Sequence, residues 1–377
     1  MPAPLSATDV RRLRLRALLL TGRRGLALGG DDAAADDEGA VAAVVSHLGA
    51  MQAQDVAHAL WSLGIRLPEA TEPGIRAALA RGEAIRTWSM RGTVHLVPPD
   101  DAAWMVALMS PRPRAAAAAR RAQLGLDDAT CDRGTAVLLD ALRGRRLTRT
   151  ACLAVLDGAG IATDGQRGYH LLVHAAQAGA VCIVAQDGTD QVFGRLDEAA
   201  PHPRTPSREE ALATLARRYL RSHGPATVAD LARWTGLGLR DCRAGIAAAG
   251  EDVVPVETDA GPMLAAPALL DAGPAAERTI LTPPGFDELV LGYADRSAQL
   301  DPALEAAVAP GGNGVFRSTL VRDGRVVATW RRALTARTVR VEAHDLVSLS
   351  PRDRARCTAA LEPYGAFIGR DVELRWG

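Results

Sequence analysis

The chain has 377 residues, 48% of them hydrophobic, 23% charged and 4% aromatic, and its 44 basic residues balance 44 acidic ones. That length and apolar content predict roughly two to four domains with substantial cores, and no stretch of about 18 uncharged apolar residues is present to cross a membrane. All 44 basic residues are arginine, which excludes the chemistries that need a lysine: a Walker phosphate loop, pyridoxal phosphate attachment and Schiff bases on a side-chain amine.

Ser6, with Asp9 three residues later, is a capping signal for a helix over 10–20. The acidic, small-residue run 29–39 (GGDDAAADDEG) reads as an exposed, mobile loop. Helical spacing returns over 41–48, and Gly49 breaks it before the extended segment Met51-Gln52-Ala53-Gln54-Asp55. Asp55 is placed to cap a helix whose Val56, Leu60 and Leu63 share a face. A helix near 74–81 and two strands, 84–90 and 93–97, follow, separated by Arg91-Gly92. Three helices and then a hairpin is the order of a winged helix-turn-helix.

The order recurs with helices over 135–142, 148–156 and 165–178 and a hairpin over 181–185 and 191–196. After a proline-rich linker, 201–206 (PHPRTP), it recurs again with helices over 209–222, 228–234 and 239–249 and a strand at 253–257. From about 278 the texture turns β-rich, with strands over 316–321, 326–330 and 339–342. Arg322-Asp323-Gly324-Arg325 supplies a hairpin turn, and a helix over 351–361 and a strand over 372–376 finish the chain.

Cys131, Cys152, Cys182, Cys242 and Cys357 are dispersed and form no C-x-x-C. With no secretion signal read at the N-terminus, they are expected as reduced, buried thiols in the cytoplasm, with no disulfide and no zinc site. The repeated helix-turn-helix order points to nucleic acid. Zero net charge argues against a simple DNA coater, yet arginines cluster at 11–16, 112–121 and 143–149, so basic surfaces can exist on a neutral whole.

Gln52 and Gln54 lie two apart in an extended segment, so both side chains face one way and can hold a water between two amides. On its own the Gln-Ala-Gln run is a weak signal whose default reading is exposed polar residues or a helix-capping contact. His170 and His174 are four apart on a helix, but Leu171 stands where a zinc protease needs its glutamate, so a packed helix is expected there. There is no G-x-S-x-G, and the glycines of 310–314 lack the strand-then-helix setting of a dinucleotide loop.

Met51-Gln52-Ala53-Gln54-Asp55 and the block from Arg86 to Leu96 (RTWSMRGTVHL) resemble the winged-helix DNA glycosylases typified by AlkZ and YcaQ. The block Pro284-Gly285-Phe286-Asp287-Glu288-Leu289, Gly292 to Arg296 (GYADR), and the segments around Gly314-Val315-Phe316, Asp323-Gly324-Arg325 and Thr329 to Arg332 are similar to the same family. The resemblance covers about 45–335. It implies an α+β chain of three tandem winged helix-turn-helix units in a C-shaped arrangement with a β-rich C-terminal part. The boundaries expected are 1–111, carrying the Gln-x-Gln motif, then 112–200, 201–272 and 273–377.

The resemblance also implies hydrolysis of the N-glycosidic bond of alkylated purines, notably bulky N7-alkylguanines made by DNA-reactive natural products. Gln52 and Gln54 match the Gln-x-Gln of the AlkZ branch rather than the Gln-x-Asp of the YcaQ branch, and Asp55 is one residue out of phase with the latter. The expected activity is therefore base-excision repair serving self-resistance, extending to interstrand crosslinks. Without lysine it would be monofunctional, with no lyase step; an N-terminal Pro2 amine is the one exception to that argument. No cofactor or metal is expected. The expected partner is double-stranded DNA carrying alkylated purines, met by a cytoplasmic monomer that associates with the nucleoid and with no membrane. Arg91, Thr93 and His95 alternate on a predicted strand and would share one face; they are candidate DNA contacts, or alternatively supports for the glutamine-bearing segment. Arg322 and Arg325, flanking the Asp-Gly turn, are candidate wedge residues, and Arg296 is read as structural. A non-catalytic winged-helix regulator and a protein-binding scaffold are the competing readings.

Overall fold

The structure, a computed structural model, describes residues 3–21, 38–275, 279–312 and 314–377. All but the last residue of the acidic run 31–38 falls outside them. The fold is α+β, and packing divides it into two compact units. One holds the described residues up to Arg76 with Leu212–Trp234 and Gly238–Gly377, the other Ala77–Ala211 with Thr235–Leu237. These units are drawn by packing and each gathers separate stretches of sequence, whereas the four expected segments follow one another along the chain.

In the first unit, helix Ala7–Ala17 opens as the capping signal predicts. The Asp9 amide donates to Ser6 Oγ at 3.2 Å and the Ser6 amide to Asp9 Oδ2 at 3.1 Å, satisfying two amides of the first turn together. Helices Ala40–Leu48, Val56–Gly64, Arg208–His223 and Leu239–Ala249 lie within a residue or so of their sequence readings. A hairpin, Val254–Thr258 with Gly261–Ala265, follows the last of them.

The β-rich C-terminal part is one sheet, ordered 371–376, 338–345, 325–334, 318–322, 280–281. Its central turn closes on the pair Arg322 and Arg325, with Asp323 at φ 50° and Gly324 at φ 78°. Both left-handed residues are what a two-residue hairpin turn requires. The final strand runs parallel to 338–345, so the chain must cross over. It does so through Pro351–Ala359 and a second helix, Glu362–Ile368, that the sequence reading lacked. Trp61 packs on Tyr364 and Phe367 at 5.0 and 5.1 Å between ring centroids, pinning that helix to Val56–Gly64.

The second unit is built on an antiparallel sheet in which Thr93–Val97, Ile85–Met90, Val181–Asp187, Asp190–Arg195 and Leu147–Thr148 lie side by side. Helices Asp128–Ala141, Arg149–Gly158 and Arg167–Gln177 precede its second hairpin, and Trp88 stacks on Phe193 beneath them at 6.4 Å. Helices Pro99–Met109, Pro111–Ala116 and Ala118–Gln123 were missing from the sequence reading. Two of them begin on proline, which fits a first turn because its missing N–H has no partner there anyway.

All five cysteines are buried free thiols, and burial pushes Cys152 and Cys182 up to about 12. Among the described residues no helix is long and apolar enough to cross a membrane.

Candidate active site

The Gln-Ala-Gln segment is extended, beginning as the short strand Met51–Gln52. Its side chains alternate as a pleat requires. Met51 and Ala53 are buried at 1% and 0% exposure, Gln52 is half-buried and Gln54 exposed. Both glutamines therefore sit on the outward side, offset by two residues of rise, roughly 7 Å. Gly49 makes the turn into this segment at φ 81°, where a Cβ would lie 3.3 Å from Arg218 Cβ. Asp55 ends it as the helix cap, accepting the His58 amide at 3.0 Å. Its carboxylate is thus committed to the next helix, in keeping with its being out of phase with a Gln-x-Asp pattern.

The block Pro284 to Leu289 meets this strand at its backbone. Glu288, 1% exposed, accepts the Gln52 backbone amide on Oε1 at 3.3 Å and the Trp234 indole N–H on Oε2 at 3.1 Å. The same Oε2 lies 3.3 Å from Nε2 of the fully buried His223. Its neighbour Asp287 caps helix Glu288–Leu291 and takes a two-pronged bond from Arg66, at 2.7 Å on Oδ2 and 3.1 Å on Oδ1, plus the Ser62 hydroxyl at 2.6 Å. Burial alone would raise the Asp287 pKa, but the Arg66 charge and these hydrogen bonds outweigh it and hold the carboxyl below its ordinary value. One short motif thus supplies two buried carboxylates with opposite sequence neighbours: helix Val56–Gly64 through Ser62 with Arg66 just beyond it, and the glutamine strand.

No sequence signal marked Arg66, His223 or Trp234, and the two carboxylates entered only within a family-like block. Their partners are 221 residues away for Asp287 with Arg66 and 236 for Glu288 with Gln52, so local pattern carries no trace of them.

Arg322 and Arg325 share the first unit with the glutamines. Arg322 is paired with Asp353 at 2.8 Å, and a Cβ on Gly324 would meet Arg11 and Leu15 side chains at 3.2 and 3.4 Å. The turn is therefore packed on helix Ala7–Ala17, and Arg325 is the exposed member of the two. Arg296 is structural as read: it pairs with Glu305 at 2.6 Å and lies over the Phe316 ring at 5.2 Å.

Arg91, Thr93 and His95 belong to the second unit. Arg91 sits in the hairpin turn at φ 52° rather than on the strand. His95 is fully buried; its Nδ1 lies 2.9 Å from the Thr93 carbonyl and its Nε2 3.1 Å from the Arg91 guanidinium. Burial first, then the Arg91 charge, push its pKa well below the ordinary value, so the neutral ring donates to Thr93 and accepts from Arg91. Of the three, His95 faces inward and Arg91 is the residue it holds. His174 meets Asp132 and Arg114, each at 3.3 Å, and among the described residues no cluster of three metal-ligating side chains exists.

Three arginines of 112–121 have a common property. Arg112 donates to the Gly236 carbonyl, Arg114 to the His174 ring and Arg120 to the Gln166 amide oxygen. These acceptors are uncharged, so the positive charge of this stretch is positioned without being neutralised. Arg121 differs, lying 3.5 Å from Asp128.

A curated relative, the interstrand DNA cross-link repair glycosylase of Streptomyces sahachiroi, is 25% identical over 302 residues, covering 76% of this chain and 81% of that protein. The solved structure of the Streptomyces sahachiroi DNA glycosylase AlkZ superposes with a TM-score of 0.79 at 20% identity, covering 99% of this chain and all of that one, a likeness of fold. The family model for AlkZ-like DNA glycosylases matches residues 45–367, which takes in the Gln-Ala-Gln strand, the buried carboxylates and most of the C-terminal sheet. The chain belongs to the AlkZ-like DNA glycosylase family.

Proposed function

We propose that the protein is a monofunctional DNA glycosylase that hydrolyses the N-glycosidic bond of bulky N7-alkylguanines, with Gln52 and Gln54 as its catalytic residues. The observation that carries this is the pair itself: two amides on the outward side of a strand whose inward side is buried. Alkylation at N7 places positive charge on the purine, so the base leaves readily and the sugar develops oxocarbenium character. Strong acid catalysis is unnecessary for such a lesion. What the site must supply is a water held for capture and dipoles directed at the sugar charge, which amide oxygens provide. Holding the water lowers the barrier by up to about 7 kcal/mol. Neutral amides are poor bases, so unmodified DNA is a poor substrate.

Lysine is absent from the whole chain, and with it the side-chain amine that would open the sugar and nick the strand. The product is an abasic site in an intact strand. Arg112, Arg114 and Arg120, held by uncharged acceptors, and Arg91, held by His95, are the phosphate contacts. Arg325 adds a contact from the first unit. The biological role is self-resistance to a DNA-alkylating natural product, and the name of the Streptomyces sahachiroi relative supports extending it to interstrand crosslinks.

The test is base release from a duplex carrying one N7-alkylguanine. Wild type is expected to release the base and leave the strand unbroken. Gln52→Ala and Gln54→Ala should each slow release by about 100-fold or more while binding the same duplex normally. Tight binding of undamaged DNA with no release from small or bulky adducts would replace the enzyme with a transcription regulator.

A further inference from the structure

Glutamines can work as a pair only if the strand that carries them is fixed, and hydrogen-bond inventory identifies what fixes it. Ser222 Oγ lies 2.7 Å from the Arg218 carbonyl and 2.8 Å from His223 Nδ1. The hydroxyl has one proton, and a carbonyl can only accept. The proton therefore goes to Arg218, and Nδ1–H must donate to Ser222. That leaves His223 Nε2 facing Glu288 Oε2 at 3.3 Å. An imidazole lone pair against a carboxylate would repel, so one further proton lies between the two. Tyr219, stacked on the imidazole at 4.6 Å, together with Trp234 at 5.4 Å and Tyr293 at 5.9 Å, closes the pair off from water. With that proton in place, both Glu288 oxygens have donors: Gln52 N–H on one, Trp234 and His223 on the other.

We infer that Glu288, proton-linked to His223, is the positioning residue of the active site and fixes the Gln52 backbone so that the two amides converge. This rests on the glycosylase reading above for its catalytic consequence, and on geometry alone for the hold itself. Glu288 is 1% exposed and bonds the Gln52 backbone, so it acts through Gln52. The arrangement needs a carboxylate, and the isosteric amide exposes that requirement. In Glu288→Gln, an NH2 group toward Trp234 meets the indole N–H donor head-on. Turned the other way, it meets the Gln52 amide. The first orientation leaves Gln52 on a neutral amide oxygen, a weaker acceptor than a carboxylate, and the second releases it, so the strand is held less tightly either way.

The experiment compares wild type, Glu288→Gln and Trp234→Phe by two readouts. The first is amide hydrogen exchange of the peptide containing Gln52. The second is single-turnover base release at saturating enzyme from the N7-alkylguanine duplex, with the DNA Kd measured alongside. Exchange at the Gln52 peptide should accelerate in Glu288→Gln, and release should slow by about 10- to 100-fold with Kd within about twofold, because the loss is of alignment rather than binding. Trp234→Phe removes one donor but leaves the Gln52 bond, so it should show a smaller loss of the same kind; it also serves if Glu288→Gln does not fold. Wild-type exchange and release in both variants would overturn the inference. A parallel fall in DNA binding would overturn it too, leaving Glu288 a purely structural residue. Absence of base release by wild type would sink the glycosylase reading instead, and exchange would then decide the positioning alone.

Discussion

Two sites, one in each unit, treat buried polar groups in opposite ways. In the first, the groups pair with one another: Arg66 clasps Asp287, and Glu288 faces His223, all four nearly or fully buried. In the second, the buried His95 is neutral and accepts from Arg91, and the arginines of 112–120 lean on carbonyl, imidazole and amide acceptors. The first arrangement cancels charge in order to fix backbone. The second fixes Arg112, Arg114 and Arg120 and leaves their charge available to an anion. A chain of zero net charge can thereby present a positive surface without an excess of basic residues.

The largest test of that contrast is to break the best-paired site. Asp287→Ala strands a buried guanidinium and should cost about 3–5 kcal/mol in a urea unfolding experiment, whereas replacing both partners, as Arg66→Met with Asp287→Leu, should recover much of the loss. Additive losses in the double variant would mean that the pair is not an energetic unit.

A smaller effect is expected from His47, whose Nε2 lies 2.7 Å from the Ala17 carbonyl and which, by burial first, is lowered to about 4. Its unfolded value is near 6.5, so the stability it contributes is complete above that pH and is lost as pH falls from about 6.5 toward 4. The loss by the lower end is about 3 kcal/mol. His47→Gln should flatten the Tm profile across that window and leave it unchanged at pH 8. Asp287, held below its ordinary carboxylate value, titrates in a lower window, so the two effects separate on the pH axis.

The smallest stability effect belongs to the arginines of the second unit. Arg112→Ala and Arg120→Ala should change stability by no more than about 0.5 kcal/mol. Each should nevertheless weaken duplex binding and lower the slope of log K against log salt by about 0.9, the signature of one phosphate contact. A large stability loss with an unchanged salt slope would remove them from the DNA interface.

Local chemistry was legible where it acts over a few residues. The Ser6–Asp9 capping box, the Asp-Gly turn of the C-terminal hairpin and helix Leu239–Ala249 all follow from capping, turn and spacing rules. The three helices between Pro99 and Gln123 were not: prolines at 98, 99, 111 and 113 read as breaks, although Ala102, Met105, Val106 and Met109 give the first helix an apolar stripe, and the alanines and arginines of the other two give none. Arg91 in a left-handed turn was hidden by Gly92 beside it, the residue a turn would be expected to use. For the site, strand periodicity was enough to put both glutamines on one side, whereas their significance came from resemblance. The acid that holds them was out of reach, since nothing local connects Glu288 to Gln52.

The buried thiols have a consequence outside folding. An electrophile that alkylates DNA also attacks proteins, chiefly at thiolates and unprotonated amines. At pH 7 a thiol pushed up to about 12 is thiolate in only about one molecule in 100,000, and Cys152 and Cys182 are both of this kind. The other three thiols are also buried, and the chain offers no lysine amine. Alkylation of these thiols would require the fold to open first.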